Sequence, residues 1–228
     1  QTFCVTVPAG GVSRGQTFSA PFVLVGGGGA SASAVPEGRW KDGICDFWRF
    51  GCCHPALWMA ICCRLALLGQ VQNRVGLNWL GQRANPGDQS PFQILLGISI
   101  FAFIWFVISL SFYSRSILSD PDTGLRIEVS QPRAIKGINH AFSFGMSMFS
   151  IYVIVKTRRR IRERSGIPHT CWQWCEDCFC AVYCGCCTVM QMARHTAEYE
   201  VYAAQCCSET GLTVHAPQQL HFGGAQIV

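Results

Sequence analysis

The sequence predicts a mainly α-helical membrane protein. We expect a membrane helical hairpin of two transmembrane helices, a cysteine-rich helical cap and a small N-terminal β-hairpin. Three observations predict this fold. Charged residues make up 14% of the 228 residues, against about 25% in an ordinary soluble domain. An uncharged apolar run covers residues 92–112. Of the 15 cysteines, 12 fall in two blocks, residues 45–63 and 171–187.

The same composition excludes two classes of protein. Disordered chains combine low hydrophobicity with high charge, whereas half of these residues are hydrophobic. Nucleic-acid-binding proteins present a basic face, whereas 18 basic and 13 acidic residues leave a net charge of only +5. We therefore expect no nucleic-acid partner.

The N-terminal segment, residues 1–36, predicts the β-hairpin and a Gly/Ser linker. Phe3, Val5 and Val7 alternate with polar residues before a Pro/Gly turn, and a second extended run covers residues 22–25. The alternative interpretation is a disordered tail. The main domain is expected at residues 38–200, followed by a polar tail at 201–228.

The first cysteine block is followed by an apolar stretch from Pro55 to Gly69. About 15 residues are too few to span a bilayer, which needs roughly 20. The stretch therefore predicts an interfacial or half-inserted helix with Trp58 at the level of the headgroups.

Two later runs predict the transmembrane helices. The first covers residues 92–112, within a stretch that has no charge between Asp88 and Arg115. The alternative is a buried core helix. The second run, 138–155, contains small residues that suit close helix packing in lipid. The polar loop between them has turn chemistry at 120–124 and a candidate strand from Arg126.

Six basic residues between Lys156 and Arg164 follow the second run. The positive-inside rule places this end, and with it both cysteine blocks, in the cytoplasm, and we expect the plasma membrane as the host. The basic loop on the other side opposes this orientation. Four arginines are expected to contact anionic lipid headgroups: Arg158, Arg159, Arg160 and Arg162.

The cysteines are candidate ligands of zinc or another thiophilic metal, because thiolates are soft ligands and CxxC pairs suit such ions. On one straight helix, the stripe of Cys175 and Cys178 lies opposite that of Cys184 and Cys187. Either the segment breaks, with Gly185 as the expected place, or the two stripes serve different partners. The first block is predicted to meet the second at the membrane surface. The candidate ligands are Cys52, Cys53, Cys62, Cys63, Cys171, Cys175, Cys178, Cys180, Cys184 and Cys187.

The same cysteines have three other interpretations: palmitoylation, disulfide bonding, or burial as small apolar residues. No catalytic residue is expected. Cys53 and His54 are neighbours in the sequence, but no acid partner is identifiable and no βαβ context for a redox CxxC is present.

Several short motifs occur in a fixed order along residues 38–200. They are Trp40–Asp46, Cys52–Pro55, Cys62–Cys63, Leu68–Gln70, Arg160–Arg162, Gly166–Pro168, Asp177–Cys178, Cys184–Cys187 and Gln191. Together they resemble the PLAC8 family, also known as the cornifelin, cell-number-regulator or plant cadmium-resistance family. The proline of that family's Cys-Pro-Cys element is absent at Cys62-Cys63-Arg64.

The resemblance implies a small cysteine-rich membrane protein, whose relatives are associated with metal tolerance, cation movement or control of cell and organ size. We expect metal-ion or cation handling by an oligomer in the bilayer. The alternative is a non-catalytic structural or regulatory subunit that packs against other membrane proteins.

Overall fold

The computed structural model describes residues 3–4, 23–24, 37–115, 117–119, 126–128, 133–169 and 175–213. The chain divides into two compact units, residues 1–33 and 34–228, which are described separately. In the first unit, β1 (Phe3–Cys4) and β2 (Val23–Leu24) pair antiparallel. The remainder of the predicted N-terminal β-hairpin lies outside the described residues, so the hairpin stays a prediction.

The second unit confirms the mainly α-helical prediction. Its described part contains six α-helices: α1 (Pro55–Cys62), α2 (Arg64–Arg74), α3 (Pro91–Arg115), α4 (Arg133–Arg164), α5 (Cys175–Tyr183) and α6 (Gly185–His195). A 3₁₀ turn, Asp46–Trp48, precedes α1. Between α3 and α4, β3 (Ile117–Ser119) pairs antiparallel with β4 (Arg126–Glu128), where the sequence predicts a strand.

Helices α3 and α4 are long and apolar enough to cross a membrane. The α3 stretch Pro91–Ser111 has a mean hydropathy of 2.5 and is 6% buried, and the most apolar window of α4 has a mean hydropathy of 1.4 and is 17% buried. A core helix of a soluble protein would be mostly buried, so the exposure of Phe101, Phe103 and Phe106 favours contact with lipid.

The helix that carries the second predicted span is longer than expected. The prediction was 138–155, whereas α4 runs without a break over 32 residues, from Arg133 to Arg164. The basic run therefore continues the helix instead of following it. The reason is that arginine and lysine are good helix formers, so charge ends the apolar character of α4 without ending the helix.

The apolar parts of α3 and α4 pack antiparallel through a few large side chains. The Phe142 ring centroid lies 5.0 Å from that of Trp105 and 5.9 Å from that of Phe101. Farther along, the Ser109 hydroxyl lies 3.1 Å from Asn139 Oδ1 and donates a hydrogen bond to it. This hydrogen bond holds together the ends of the two helices that lie away from the cap.

The cap consists of α1, α2, α5, α6 and the last turns of α4. Its hydrophobic core combines residues from all of these elements with the start of α3, including Ala60, Leu67, Leu68, Val71, Leu95, Val153, Ile154, Ile161, Ala181, Val189 and Met192. Because Leu95, Val153 and Ile154 belong to both the core and the apolar helices, cap and hairpin share one continuous interior.

Helices α2 and α3 pack closely against each other at Gly69. An ideal Cβ on Gly69 would lie 2.7 Å from Phe92 Cα and 2.9 Å from the Pro91 carbonyl oxygen. Asn73 Nδ2 donates to Ser90 Oγ at 2.9 Å, so the two helices run antiparallel. Only glycine permits this approach of one backbone to another.

Replacing Gly69 with alanine is expected to destabilise the protein by about 1–3 kcal/mol, because the added methyl group must push α2 away from α3. Thermal unfolding of the detergent-solubilised chain measures the effect. Gly97→Ala is the matched control, because it adds the same atom in α3 where nothing lies within 4 Å. Equal melting temperatures for the two variants would contradict the close contact.

Candidate functional site

The predicted break in the second cysteine block is confirmed. Helix α5 ends at Tyr183, Cys184 has non-helical backbone angles (φ −144°, ψ 69°), and α6 begins at Gly185. The Thr188 hydroxyl lies 2.8 Å from the Cys180 carbonyl oxygen and 2.9 Å from that of Cys184. These contacts secure the corner between the two helices.

Three cysteines come together at this corner. The Sγ atoms of Cys184, Cys186 and Cys187 all lie within 4.8 Å of one another, and each side chain is half-buried. Cys184 and Cys187 are joined as a disulfide, with their Cα atoms 5.3 Å apart. The Cys186 Sγ lies 3.6 Å from that of Cys184 and 4.0 Å from that of Cys187. We call these three residues the thiol cluster.

Two of the three sulfur spacings in the thiol cluster suit a tetrahedral thiophilic ion. With metal–sulfur bonds of about 2.3 Å, two ligands of a tetrahedral site lie about 3.8 Å apart. The two distances from Cys186 bracket this value. Opening the disulfide would provide three thiolates, leaving the fourth coordination position to water or another ligand.

Two neighbours define the setting of the thiol cluster. An ideal Cβ on Gly185 would lie 3.0 Å from Arg64 Nη1 and 3.5 Å from Ile154 Cδ1. Arg64 follows Cys63 directly, at the start of α2. A guanidinium and a helix N-terminus both favour negative charge, so the corner is electrostatically suited to thiolates.

Apart from Cys184 and Cys187, the predicted ligands that the structure describes lie outside the thiol cluster. In the described residues, the one group of three potential ligands within reach of a single ion lies wholly in the second block. Cys171 lies outside the described residues. Of the predicted ligands, Cys184 and Cys187 belong to the thiol cluster. The following are exposed: Cys52, Cys53, Cys62, Cys63, Cys175 and Cys178.

Two of the predicted ligands, Cys53 and Cys180, have a raised pKa. The Cys53 Sγ lies 3.9 Å from that of Cys52, and this contact raises the pKa of Cys53. Cys180, on the inner side of α5, is half-buried, and burial raises its pKa. Both thiols therefore form thiolates less readily than an isolated cysteine in water, unless a metal is bound.

The structure changes the interpretation of the basic run. Arg158 and Arg162 are 2% and 1% exposed and lie inside the cap, so they do not contact headgroups. Residues four apart share a helix face, and this face of α4 is covered by α5. Arg159 and Arg160 are exposed, and both pair with Glu163. The headgroup prediction now rests on these two arginines.

The buried arginines bind one carboxylate of α5. Asp177 Oδ1 lies 2.9 Å from Arg158 Nε and 3.3 Å from Arg162 Nη2. Glu176 adds a two-pronged contact to Arg162, at 2.6 and 3.1 Å. Arg158 also donates to Gln191 of α6 at 2.6 Å. This ion cluster joins α5 and α6 to α4 and thereby positions the thiol cluster.

The Trp40 side chain extends the ion cluster to the chain before α1. The Arg158 guanidinium carbon lies 4.4 Å from the centroid of the Trp40 ring. Beside it, Gln191 Nε2 donates to the Asp42 carbonyl oxygen at 2.9 Å. Asp42 itself pairs with Arg194 at 3.3 Å and with Arg49. The segment around Trp40 is thus bound to α4 and α6 at once.

His195, at the end of α6, is 2% exposed and neutral. The Lys41 backbone N–H donates to its Nδ1 at 3.2 Å, so Nε2 carries the proton and donates to Ser165 Oγ at 3.0 Å. Burial, helped by the nearby Lys41 charge, lowers the pKa of His195 to about 4. The sequence predicts only that this histidine is structural or exposed, because a single histidine without a spaced partner carries no pattern.

Comparison with known proteins identifies one protein family that this chain matches. The model of the PLAC8 family matches residues 40–195, which include Trp40, the thiol cluster and His195. No curated protein and no solved structure matches the chain.

Replacing Asp177 with asparagine is expected to destabilise the protein by about 3–5 kcal/mol, because two buried guanidinium groups lose a shared negative partner. Glu163→Gln is the control. It removes an exposed carboxylate that also contacts two arginines, and we expect a loss of about 0–1 kcal/mol. Thermal unfolding measures both. Similar losses would show that burial of the ion cluster is unimportant.

Lowering the pH from 7 to 5 is expected to reduce stability by about 2 kcal/mol through His195. The unfolded histidine takes up a proton near pH 6.5, whereas the folded one resists protonation down to about pH 4. Stability therefore falls through this window as the pH falls. Unfolding midpoints of the parent chain and of His195→Gln, measured at both pH values, test this. In the His195→Gln variant, the unfolding midpoint should fall less between pH 7 and pH 5 than in the parent chain. The same fall in both proteins would contradict the assignment of this pH dependence to His195.

Proposed function

The chain belongs to the PLAC8 family, and on this premise we propose that it is an integral membrane protein whose thiol cluster binds a thiophilic cation such as Zn²⁺. The observation that carries the proposal is the arrangement of Cys184, Cys186 and Cys187, in which the two sulfur spacings from Cys186 suit a tetrahedral ion once the Cys184–Cys187 disulfide is reduced. An open fourth position suits an ion that is taken up and passed on, since a further ligand can enter without displacing a protein ligand.

The proposed location is the plasma membrane, with the cap in the cytoplasm. Lys156, Arg159 and Arg160 are exposed on the part of α4 that enters the cap, in agreement with the positive-inside rule. Cytoplasmic thiols are kept reduced, which would leave the thiol cluster available to a metal.

An oligomer would supply the fourth ligand for a cation that one chain holds with three thiols. Three thiols leave one coordination position open, and a second copy or another membrane protein could provide the fourth ligand. We propose a homo-oligomer in the bilayer, with no catalytic role.

The disulfide between Cys184 and Cys187 favours a second candidate function. In this alternative the corner is a permanent crosslink, and the protein is a structural or regulatory membrane subunit whose remaining thiols are palmitoylated or packed. A disulfide uses the same two sulfur atoms that a metal would need. The two functions therefore require different oxidation states of one corner.

Metal binding by the purified, reduced protein tests the proposal. We expect about one Cd²⁺ or Zn²⁺ per thiol cluster, with cadmium–thiolate absorbance in the ultraviolet. Replacing Cys184, Cys186 and Cys187 with serine should abolish this signal. Replacing the exposed Cys206 and Cys207 with serine is the control and should leave it unchanged.

Two results would contradict metal binding at this place. One is a reduced parent chain, with its thiols titratable, that takes up no metal. The other is a triple variant that retains the full signal. Persistence of the Cys184–Cys187 disulfide under cytoplasmic reducing conditions would favour the structural alternative.

A further inference from the structure

Apart from the last turns of α4, the cap consists of two helical hairpins that pack against each other. Helices α1 and α2 are separated by one residue, Cys63, and α5 and α6 by one residue, Cys184. Each hairpin therefore has a tip. We call Ile61–Arg64 the first tip and Tyr183–Cys187 the second tip.

Both tips point toward the apolar part of the α3–α4 hairpin. At the second tip, Gly185 lies against Ile154 of α4 and against Arg64 of the first tip. The opposite ends of α2 and α6 lie at the end of α4, where Arg164 donates to the Val75 carbonyl and Ser165 contacts His195. From Ile154 to Arg164 is ten residues, or about 15 Å along the helix.

The contact of α2 with α3 gives the depth of the first tip. Gly69 lies beside Pro91 and Phe92, where the apolar stretch of α3 begins. Arg64 is five residues from Gly69 in the antiparallel helix, so it lies about 7.5 Å farther along α3. The 21 residues from Pro91 to Ser111 are about as long as the hydrocarbon core is thick. The first tip therefore lies beside the start of the hydrocarbon layer.

The exposed surface near the tips is mainly apolar; the exception is exposed Arg64, whose long side chain can keep its charge in the headgroup region. Ile61 is 57% exposed and Tyr183 is 74% exposed. On α5 the outward stripe is Cys178, Phe179 and Val182, whereas Asp177 faces inward to the ion cluster. Helix α5 thus has its charged side inside and its apolar side outside, as expected of a helix that lies in lipid.

Two exposed residues of α4 lie at the level where the hydrocarbon layer is inferred to begin. Exposed Tyr152 and Lys156 lie one turn apart, with the ammonium 5.8 Å from the ring centroid. Tyrosine and lysine with an apolar body and a polar end concentrate at the membrane interface. Ile154, the residue beside the second tip, lies between them in the sequence.

We propose that both tips insert into the same lipid leaflet, so that Ile61, Phe179, Val182 and Tyr183 contact acyl chains and the thiol cluster lies at the bilayer interface. The inference rests on the proposed membrane location but not on metal binding. Helices of this kind enter the boundary of headgroups and acyl chains by about 5–10 Å, in agreement with the depth of the first tip. The tips anchor the cap against the bilayer, and the thiol cluster is reached from the headgroup region.

The test is photocrosslinking of the full chain in vesicles of phosphatidylcholine and phosphatidylserine. A benzophenone amino acid replaces Ile61, Tyr183, Phe103 or Val201, one at a time, and intact masses are recorded after irradiation. Phe103 is the lipid-facing control on α3. Val201 is the control for an exposed apolar position beyond the far end of α6.

We expect lipid adducts at Ile61, Tyr183 and Phe103, with a yield several-fold above that at Val201. Lipid adducts at Phe103 but not at Ile61 and Tyr183 would overturn the tip insertion alone. Adducts of these two positions with a second copy or another protein would also overturn it. Absence of lipid adducts at all four positions would overturn the membrane location itself.

Discussion

The arrangement of the cap depends on one carboxylate, Asp177, held between two guanidinium groups of α4. Arg158 and Arg162 lie on one face of α4, and Asp177 reaches both from α5. A buried ion pair contributes little net stability compared with apolar packing, but it penalises any arrangement that leaves a charge without its partner. The ion cluster therefore specifies where α5 lies and which side of it faces outward. The corner at Cys184, the direction of α6 and the position of the thiol cluster follow from that placement.

Much of the architecture could be predicted because it depends on local chemistry. A stretch without charge from Gln89 to Ser114 is readable as a span, since an unpaired charge in hydrocarbon is costly. The break at Gly185 was predictable because opposite cysteine stripes cannot meet on one straight helix. The true length of α4 was not predicted, because the change from apolar to basic residues was taken for the end of a helix. The first basic residues mark the end of the apolar segment of α4. Because arginine and lysine are good helix formers, the helix itself continues past that point.

The site was less predictable because tertiary contacts decide it. Cys186 was not among the predicted ligands, since the Cys-x-x-Cys spacing draws attention to Cys184 and Cys187; a helix that begins at Gly185 brings the residue between them within reach. The four arginines 158, 159, 160 and 162 look alike in the sequence. Their spacing places the first and last on one face, yet only the acidic residues of α5, almost 20 residues later, show that this face is buried. The two cysteine-bearing tips come together because Gly69 and Gly185 have no side chains and so permit close contacts. The local sequence around these glycines does not predict such contacts.

The continuity of α4 connects the cap rigidly to the segment that we propose to span the bilayer. Its 32 residues form a rod of about 48 Å that is apolar over residues 138–155 and bound to the ion cluster near its C-terminal end. Transmembrane helices respond to a change in bilayer thickness by tilting. Because no flexible joint separates the apolar part of α4 from Arg158 and Arg162, tilting of the rod must carry the cap with it. In the proposed membrane location, bilayer thickness would therefore set how the cysteine corner is presented to the lipid surface.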